Sequence, residues 1–393
     1  MSALLEHPVS NRITPKRVLE LDGLRAFAIL TVILHHSAPQ SGWIGFFGEA
    51  GWMGVDLFFV LSGYLITGIL LKTVDDPHYY KNFVIRRTLR IFPLYYVCLA
   101  LFTITAWASG GPQWADMQRW GIGWLVAYLG NIRAAWVDGL TPIFSFALLW
   151  SLQVEEQFYL LYPLVVLRLS RQNLRRFLIG CVVVAPLLRT LLGLFPGTDT
   201  AKYVLTPCRM DALALGGLVA ILANSPSARW PSGTQLRWGS VILGAAALGL
   251  YGFVWHYQPL NTNYHPLMSS LGYSLNAMAF AALLAMIVRA PSATVLALLR
   301  WRPLTYTGTI AYGLYLLHGP ASWIARKLAT MILGVEVPGH SMASMAITFP
   351  VSFLAAGLCW RYFESPILAF KDRFTLPTPR PPIVSDRVSP SPV

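Results

Sequence analysis

Long apolar blocks alternate with short, arginine-bearing polar segments along most of this chain. An apolar run of about 20 residues, rising ~1.5 Å per residue as a helix, spans a bilayer core ~30 Å thick. The pattern predicts ten such spans, at residues 25–39, 52–71, 91–108, 147–167, 177–194, 205–223, 239–255, 266–288, 304–324 and 342–360. The first looks short because Leu19 and Leu21 extend it inward. Residues 121–129 are apolar but too few to cross, so they read as a re-entrant or interfacial segment. The predicted fold class is all-α: a polytopic membrane helical bundle of about 10 transmembrane helices.

Charge orients the bundle. With the N-terminus inside, the inner segments hold twenty-three of the 30 basic residues, among them Arg12, Lys16, Lys72, Arg86, Arg171, Arg289 and Arg361. That asymmetry predicts both termini in the cytoplasm. Reading residues 121–129 as a full span would reverse the later loops and spoil it. The expected organisation is a cytoplasmic N-terminal tail (1–18), a transmembrane domain (19–370) and a Pro- and Ser-rich disordered cytoplasmic tail (371–393). The polar start carries no secretory leader pattern, so the first span is expected to be retained and to double as the insertion signal. The expected location is the cytoplasmic (inner) membrane.

Composition narrows the class. The chain is 393 residues long, 55% hydrophobic and 12% charged. A soluble domain carries about twice that charge. The net charge of +13 sits between apolar blocks rather than on a basic module with interleaved aromatics, which argues against nucleic acid as a partner. Cys98, Cys181, Cys208 and Cys359 lie inside apolar blocks without close pairing, so neither a disulfide framework nor a metal site is expected.

Ionisable groups inside a bilayer are costly and mark pathways or reaction sites. Arg25 and His36 are eleven residues apart on the first span, about three turns, and so share a helix face. His36 then lies roughly 16 Å deeper than Arg25. Counted the same way from the inner basic residues, Asp56, Glu156 and His318 fall in the middle or outer half of the membrane, and Arg209 and Asp211 near the outer end of the sixth span. One shared polar cavity is the expected arrangement. His35 is turned ~100° from His36 and faces elsewhere. Glu155 and Glu156 cannot be separated by spacing, and Glu156 is preferred. On the inner side, Arg86, Arg87 and Arg90 precede the third span, and Arg87 and Arg90 are helix neighbours whose guanidinium groups suit phosphate. The same run would serve equally as a positive-inside anchor.

These residues stand in segments that resemble the acyltransferase-3 family of integral membrane O-acyltransferases: LDGLRAFAILTVILHH, GVDLFFVLSGYLITGILL, FVIRRTLRIFPLYY, WSLQVEEQFYLLYP, CRMDALALGGLVA, IAYGLYLLHGP and RYFESP, in this order from about Leu19 to Pro366. The family pattern of an arginine ten residues before a histidine is met by Arg25 and His36, and its paired arginines by Arg87 and Arg90. The resemblance implies an acyl group, usually acetyl, taken from cytoplasmic acyl-CoA and passed to a hydroxyl of an extracytoplasmic glycan or a lipid-linked precursor. Some members carry an added extracytoplasmic hydrolase-like domain, for which this chain looks too short.

On that reading His36 is the general base, since a neutral imidazole can take a hydroxyl proton in the transition state. Asp56 or Glu156 would orient it. Arg25, Arg86, Arg87 and Arg90 would hold the phosphates of acetyl-CoA, and Arg209, Asp211 and His318 are candidate acceptor contacts. Direct attack on the thioester and a covalent relay through His36 both stay open. So does a rival class, a proton-coupled transporter or flippase using the same intramembrane groups. Acceptor specificity is expected in outer loops such as residues 109–146 and 256–265.

Overall fold

The computed structural model describes residues 18–140, 147–225 and 228–370, and among them the regular structure is helical, without strands. The expected tails fall almost wholly outside these residues, as does part of the expected outer loop at 141–146. Among the described residues six helical stretches are long and apolar enough to cross a membrane: Gly42–Thr73, Tyr79–Ala108, Asp199–Ala223, Gly233–Tyr257, Met268–Arg289 and Met342–Ala369. The chain is a multi-pass membrane protein.

These six overlie six of the ten predicted spans. The other four predicted spans coincide with α1 (Leu19–His35), α8 (Leu149–Arg168), α9 (Arg171–Leu192) and α16 (Ala311–Leu333). α1 has only 17 residues. The other three carry Glu155 and Glu156, Arg189, or His318 and Arg326 inside the run, which dilutes their hydropathy.

Helix α3 (Met53–Thr73) lies at the centre, with Leu57, Phe59, Val60 and Leu61 almost fully buried. It packs on α1, on α11 (Thr206–Ala223) and on α13 (Tyr273–Arg289). The approach to α11 depends on glycine: a Cβ on Gly63 would fall 1.9 Å from the Leu213 carbonyl oxygen, and one on Gly216 2.0 Å from that of Val60. Without a hydrophobic drive between helices in lipid, such close backbone packing is a main source of association. Where α15 (Arg302–Thr309) meets α1, Gly308 lies against the Asp22 carbonyl in the same way.

Helix α4 (Tyr79–Ser109) is followed by three short helices, α5 (Pro112–Trp120), α6 (Ile122–Val126) and α7 (Gly130–Trp136). None is long enough to cross, in keeping with the reading of residues 121–129. Tyr95 and Tyr96 of α4 donate to the carbonyls of Leu125 and Val126, at 2.8 and 2.9 Å, and Tyr128 stacks on Tyr95. These contacts satisfy backbone groups that a short segment would otherwise leave bare.

Two buried ion pairs tie the interior together. Arg209 of α11 binds Asp56 of α3, and its guanidinium lies 4.2 Å from the ring centroid of Tyr273, with Tyr203, Phe59 and Trp150 also around it. Arg189 of α9 binds Asp211 of α11 at 2.9 Å, and Ser274 of α13 donates to the same carboxylate at 2.6 Å. Each charge is about 1% exposed. Paired charges enclosed in this way fix the relative placement of α3, α9, α11 and α13.

Candidate active site: an arginine cavity and a histidine chamber

In place of the expected single polar cavity there are two neighbouring spaces that share no lining residue. The first is a cavity lined by Arg25 of α1, Arg87 and Arg90 of α4, Ser62 of α3, Glu155 and Tyr159 of α8, and Tyr312 and Tyr315 of α16. Phe58, Phe59, Leu65, Ile66 and Leu152 form its apolar wall. Arg25 donates to Asp22 at 3.0 Å, one turn back on its own helix. Arg87 lies over the rings of Phe83 and Tyr159, at 5.6 and 5.5 Å. Ser62 bridges, donating to Glu155 and accepting from Tyr159 at 3.4 Å. Three guanidinium groups and one carboxylate therefore line this space, a net positive site with an apolar floor.

Arg86 lies outside this wall, because its place on α4 is ~100° round from Arg87. The preference for Glu156 is corrected: Glu155 lines the cavity, while Glu156 is buried elsewhere with Oε1 unpartnered. Adjacent residues on a helix point to different sides, and only packing decides which side holds the cavity.

The second space is lined by His36, His318, Ser322, Arg326, His340 and Thr348. His36 Nδ1 lies 2.9 Å from the Val32 carbonyl and 3.3 Å from His318 Nε2. His318 Nδ1 lies 2.9 Å from the Leu314 carbonyl. A carbonyl only accepts, so each Nδ1 carries the proton. His318 Nε2 is then an acceptor aimed at His36 Nδ1–H, and His36 Nε2 keeps its lone pair. That is the tautomer a general base needs.

Asp56, Glu156, Arg209 and Asp211 do not line the chamber of His36. The expected carboxylate partner is replaced by His318, the one member of the expected acceptor set that the fold brings to His36. Asp56, Arg209 and Asp211 go instead into the buried ion pairs. His35 turns away, its Nδ1 3.2 Å from the Gly48 carbonyl and 3.7 Å from Glu49. Arg25 lies within α1, whereas His36 is the residue that caps its C-terminus, one position past the helix, and the two line different spaces. Tyr315 stands between: it lines the arginine cavity, its ring centroid is 6.2 Å from that of His318, and its hydroxyl lies 2.6 Å from Ser151 Oγ.

A model of the acyltransferase-3 family, described as an acyltransferase domain, matches residues 18–360. The chain belongs to this family. It is 30% identical over 383 residues to "Peptidoglycan O-acetyltransferase OatA" of Listeria monocytogenes, covering 91% of this chain and 57% of that protein. It is 28% identical over 382 residues to "O-acetyltransferase OatA" of Staphylococcus aureus, covering 90% of this chain and 58% of the relative. The chain thus spans a little more than half the length of these relatives. No solved structure matches it.

Sequence reasoning missed Ser62, Tyr159, Ser322, Arg326, His340 and Thr348. Ser322 and Arg326 follow His318 by four and eight residues on α16, a helical spacing that could have flagged them. His340 comes from the segment between α16 and α17 (Met342–Cys359), where no periodicity points to the site.

Proposed function

We propose that the chain is a membrane O-acyltransferase that moves an acyl group, acetyl by preference, from acyl-CoA to a hydroxyl of an extracytoplasmic or lipid-linked glycan. The observation that carries this reading is the closeness of an arginine-lined cavity and a histidine-lined chamber across Tyr315 and His318. Family membership and the likeness to O-acetyltransferases support it. Basic-residue asymmetry supports ten crossings with both termini in the cytoplasm, and residence in the inner membrane. The arginine cavity then faces the cytoplasm and the histidine chamber the opposite side.

In this scheme Arg25, Arg87 and Arg90 hold the phosphates of CoA, and the apolar wall takes the pantetheine arm. An acetyl thioester is already activated. The remaining tasks are to position the hydroxyl and to remove its proton. His36 Nε2 takes that proton as the hydroxyl oxygen attacks the thioester carbonyl, and His318 accepts from His36 Nδ1–H and shares the developing charge. The sulfur leaves as CoA thiolate and takes up a proton. The acceptor is proposed to be a cell-wall glycan, as the name of the Listeria relative suggests.

Purified protein in nanodiscs with radiolabelled acetyl-CoA and a glycan-lipid extract tests this reading, wild type beside His36→Ala. Acceptor-dependent transfer by wild type, lost in a folded His36→Ala protein, supports it. A wild type that neither binds acetyl-CoA nor releases CoA with any acceptor pool overturns the donor assignment and favours a transporter.

A further inference from the structure

We propose that Arg326 and Trp323 form a binding groove for an acidic glycan, one whose carboxylate pairs with Arg326 while a sugar ring stacks on Trp323. This rests on the acyl-transfer reading only in taking that glycan as the acceptor. The groove is a further recess, distinct from the two spaces above, lined by Trp323, Arg326, Lys327, Thr330, Glu336 and Val337. Arg326 lines both this recess and the His36 chamber, so the two meet at its side chain.

Arg326 is fixed but not satisfied. One of its η nitrogens donates to the Val337 carbonyl at 3.4 Å, while Nε is buried with no hydrogen-bond partner. An unpaired guanidinium N–H inside a protein costs free energy unless an acceptor comes to it. The edge formed by Nε and the other η nitrogen is the fork that matches a carboxylate. No acidic side chain of the protein is within ion-pair distance of it among the described residues. Glu336 is exposed at the rim, and Arg326 with Lys327 leave the groove net positive.

Trp323 is 50% exposed, one turn before Arg326 on the same helix side, and it borders the groove rather than the packed interior. A half-open indole beside a guanidinium suits the apolar face of a pyranose next to an anionic substituent. Measured round α16, His318, Ser322, Arg326, Thr330 and Trp323 follow one another within roughly 140°, a continuous polar path from the base to the groove. The groove therefore sorts acceptors by charge a short distance from where the hydroxyl reacts. The end of α16 and the segment after it thereby join residues 109–146 and 256–265 as places for acceptor recognition.

The test uses the full chain in nanodiscs without acetyl-CoA, titrated with tetragalacturonate and with its methyl ester, which has the same rings without the charge. Wild type is expected to bind the acid at least tenfold more tightly. Arg326→Gln should bring the acid down to the affinity of the ester, Arg326→Lys should keep part of the preference, and Trp323→Ala should weaken both ligands several-fold. Equal binding of acid and ester by wild type overturns the inference without needing any variant, as does an Arg326→Gln protein that keeps the preference. Tight binding of dodecyl phosphate with no preference among the glycans assigns the groove to a lipid headgroup and equally overturns it. Because no donor is present, charge-selective binding in a protein that fails to transfer acetyl would sink the transfer reading and leave this one standing.

Discussion

His318 Nε2 faces His36 Nδ1 at 3.3 Å, two imidazoles from helices 282 residues apart in sequence, each with its own Nδ1 anchored on the carbonyl one turn back. This fixes both tautomers and makes His318 the orienting partner of the proposed base. His318→Ala is expected to lower kcat about 10²-fold or more with a smaller change in KM, the usual scale for a proton-transfer defect. His318→Gln, which can still offer an acceptor to His36, should retain more activity than His318→Ala. Equal activity of wild type and His318→Ala would remove His318 from the mechanism.

Arg87 and Arg90 both line the arginine cavity, reaching it from one face of α4. Hydrogen bonds to charged groups contribute about 1.5–3 kcal/mol each, so Arg87→Gln or Arg90→Gln should raise the KM for acetyl-CoA about 10- to 100-fold and leave kcat nearly unchanged. Dephospho-CoA inhibition measured beside CoA would show which arginine meets which phosphate.

Glu155 and Glu156 are adjacent, yet only Glu155 lines the cavity, where Ser62 donates to it. Glu155→Gln should shift the KM for acetyl-CoA, whereas Glu156→Gln should leave that KM unchanged. The reverse pattern in steady-state kinetics would return the site to Glu156.

Asp56 and Arg209 form a buried pair enclosed by aromatic rings. Removing one partner of such a pair leaves an uncompensated charge and costs about 3–5 kcal/mol. Asp56→Ala is expected to lower the thermal unfolding midpoint markedly in detergent. Replacing both together, as Asp56→Leu with Arg209→Met, should cost less than the single change. A stable Asp56→Ala protein with lost activity would instead point to a direct role for Asp56.

Gly63 and Gly216 bring α3 and α11 into backbone contact. Gly216→Val would place carbon atoms where the Val60 carbonyl lies, and overpacking costs about 1–3 kcal/mol or more when backbone must move. The readout is the yield of monodisperse protein and its unfolding midpoint, with Gly239→Ala, which meets open space, as the control.

The sequence by itself determined the helical membrane class and singled out Arg87, Arg90 and His36 as candidates, because these depend on local quantities: run length, helical spacing and the cost of a charge in lipid. It also marked Asp56, Arg209, Asp211 and His318 as unusual, since each interrupts an apolar run. What it could not decide was who meets whom. One polar group in a membrane is unusual wherever it sits, but its partner is set by the rotation and close approach of whole helices. Glycine contacts such as Gly63 against Leu213 set that approach, and no spacing along one helix reveals it. Tertiary packing therefore sent Asp56 to Arg209, gave His36 an imidazole rather than a carboxylate, and put Arg25 of α1 and His36 at its C-terminal cap in separate spaces. It also left Arg326 with an unpaired N–H at the edge of the chamber, a fact about three-dimensional satisfaction of donors that no pattern along the chain contains.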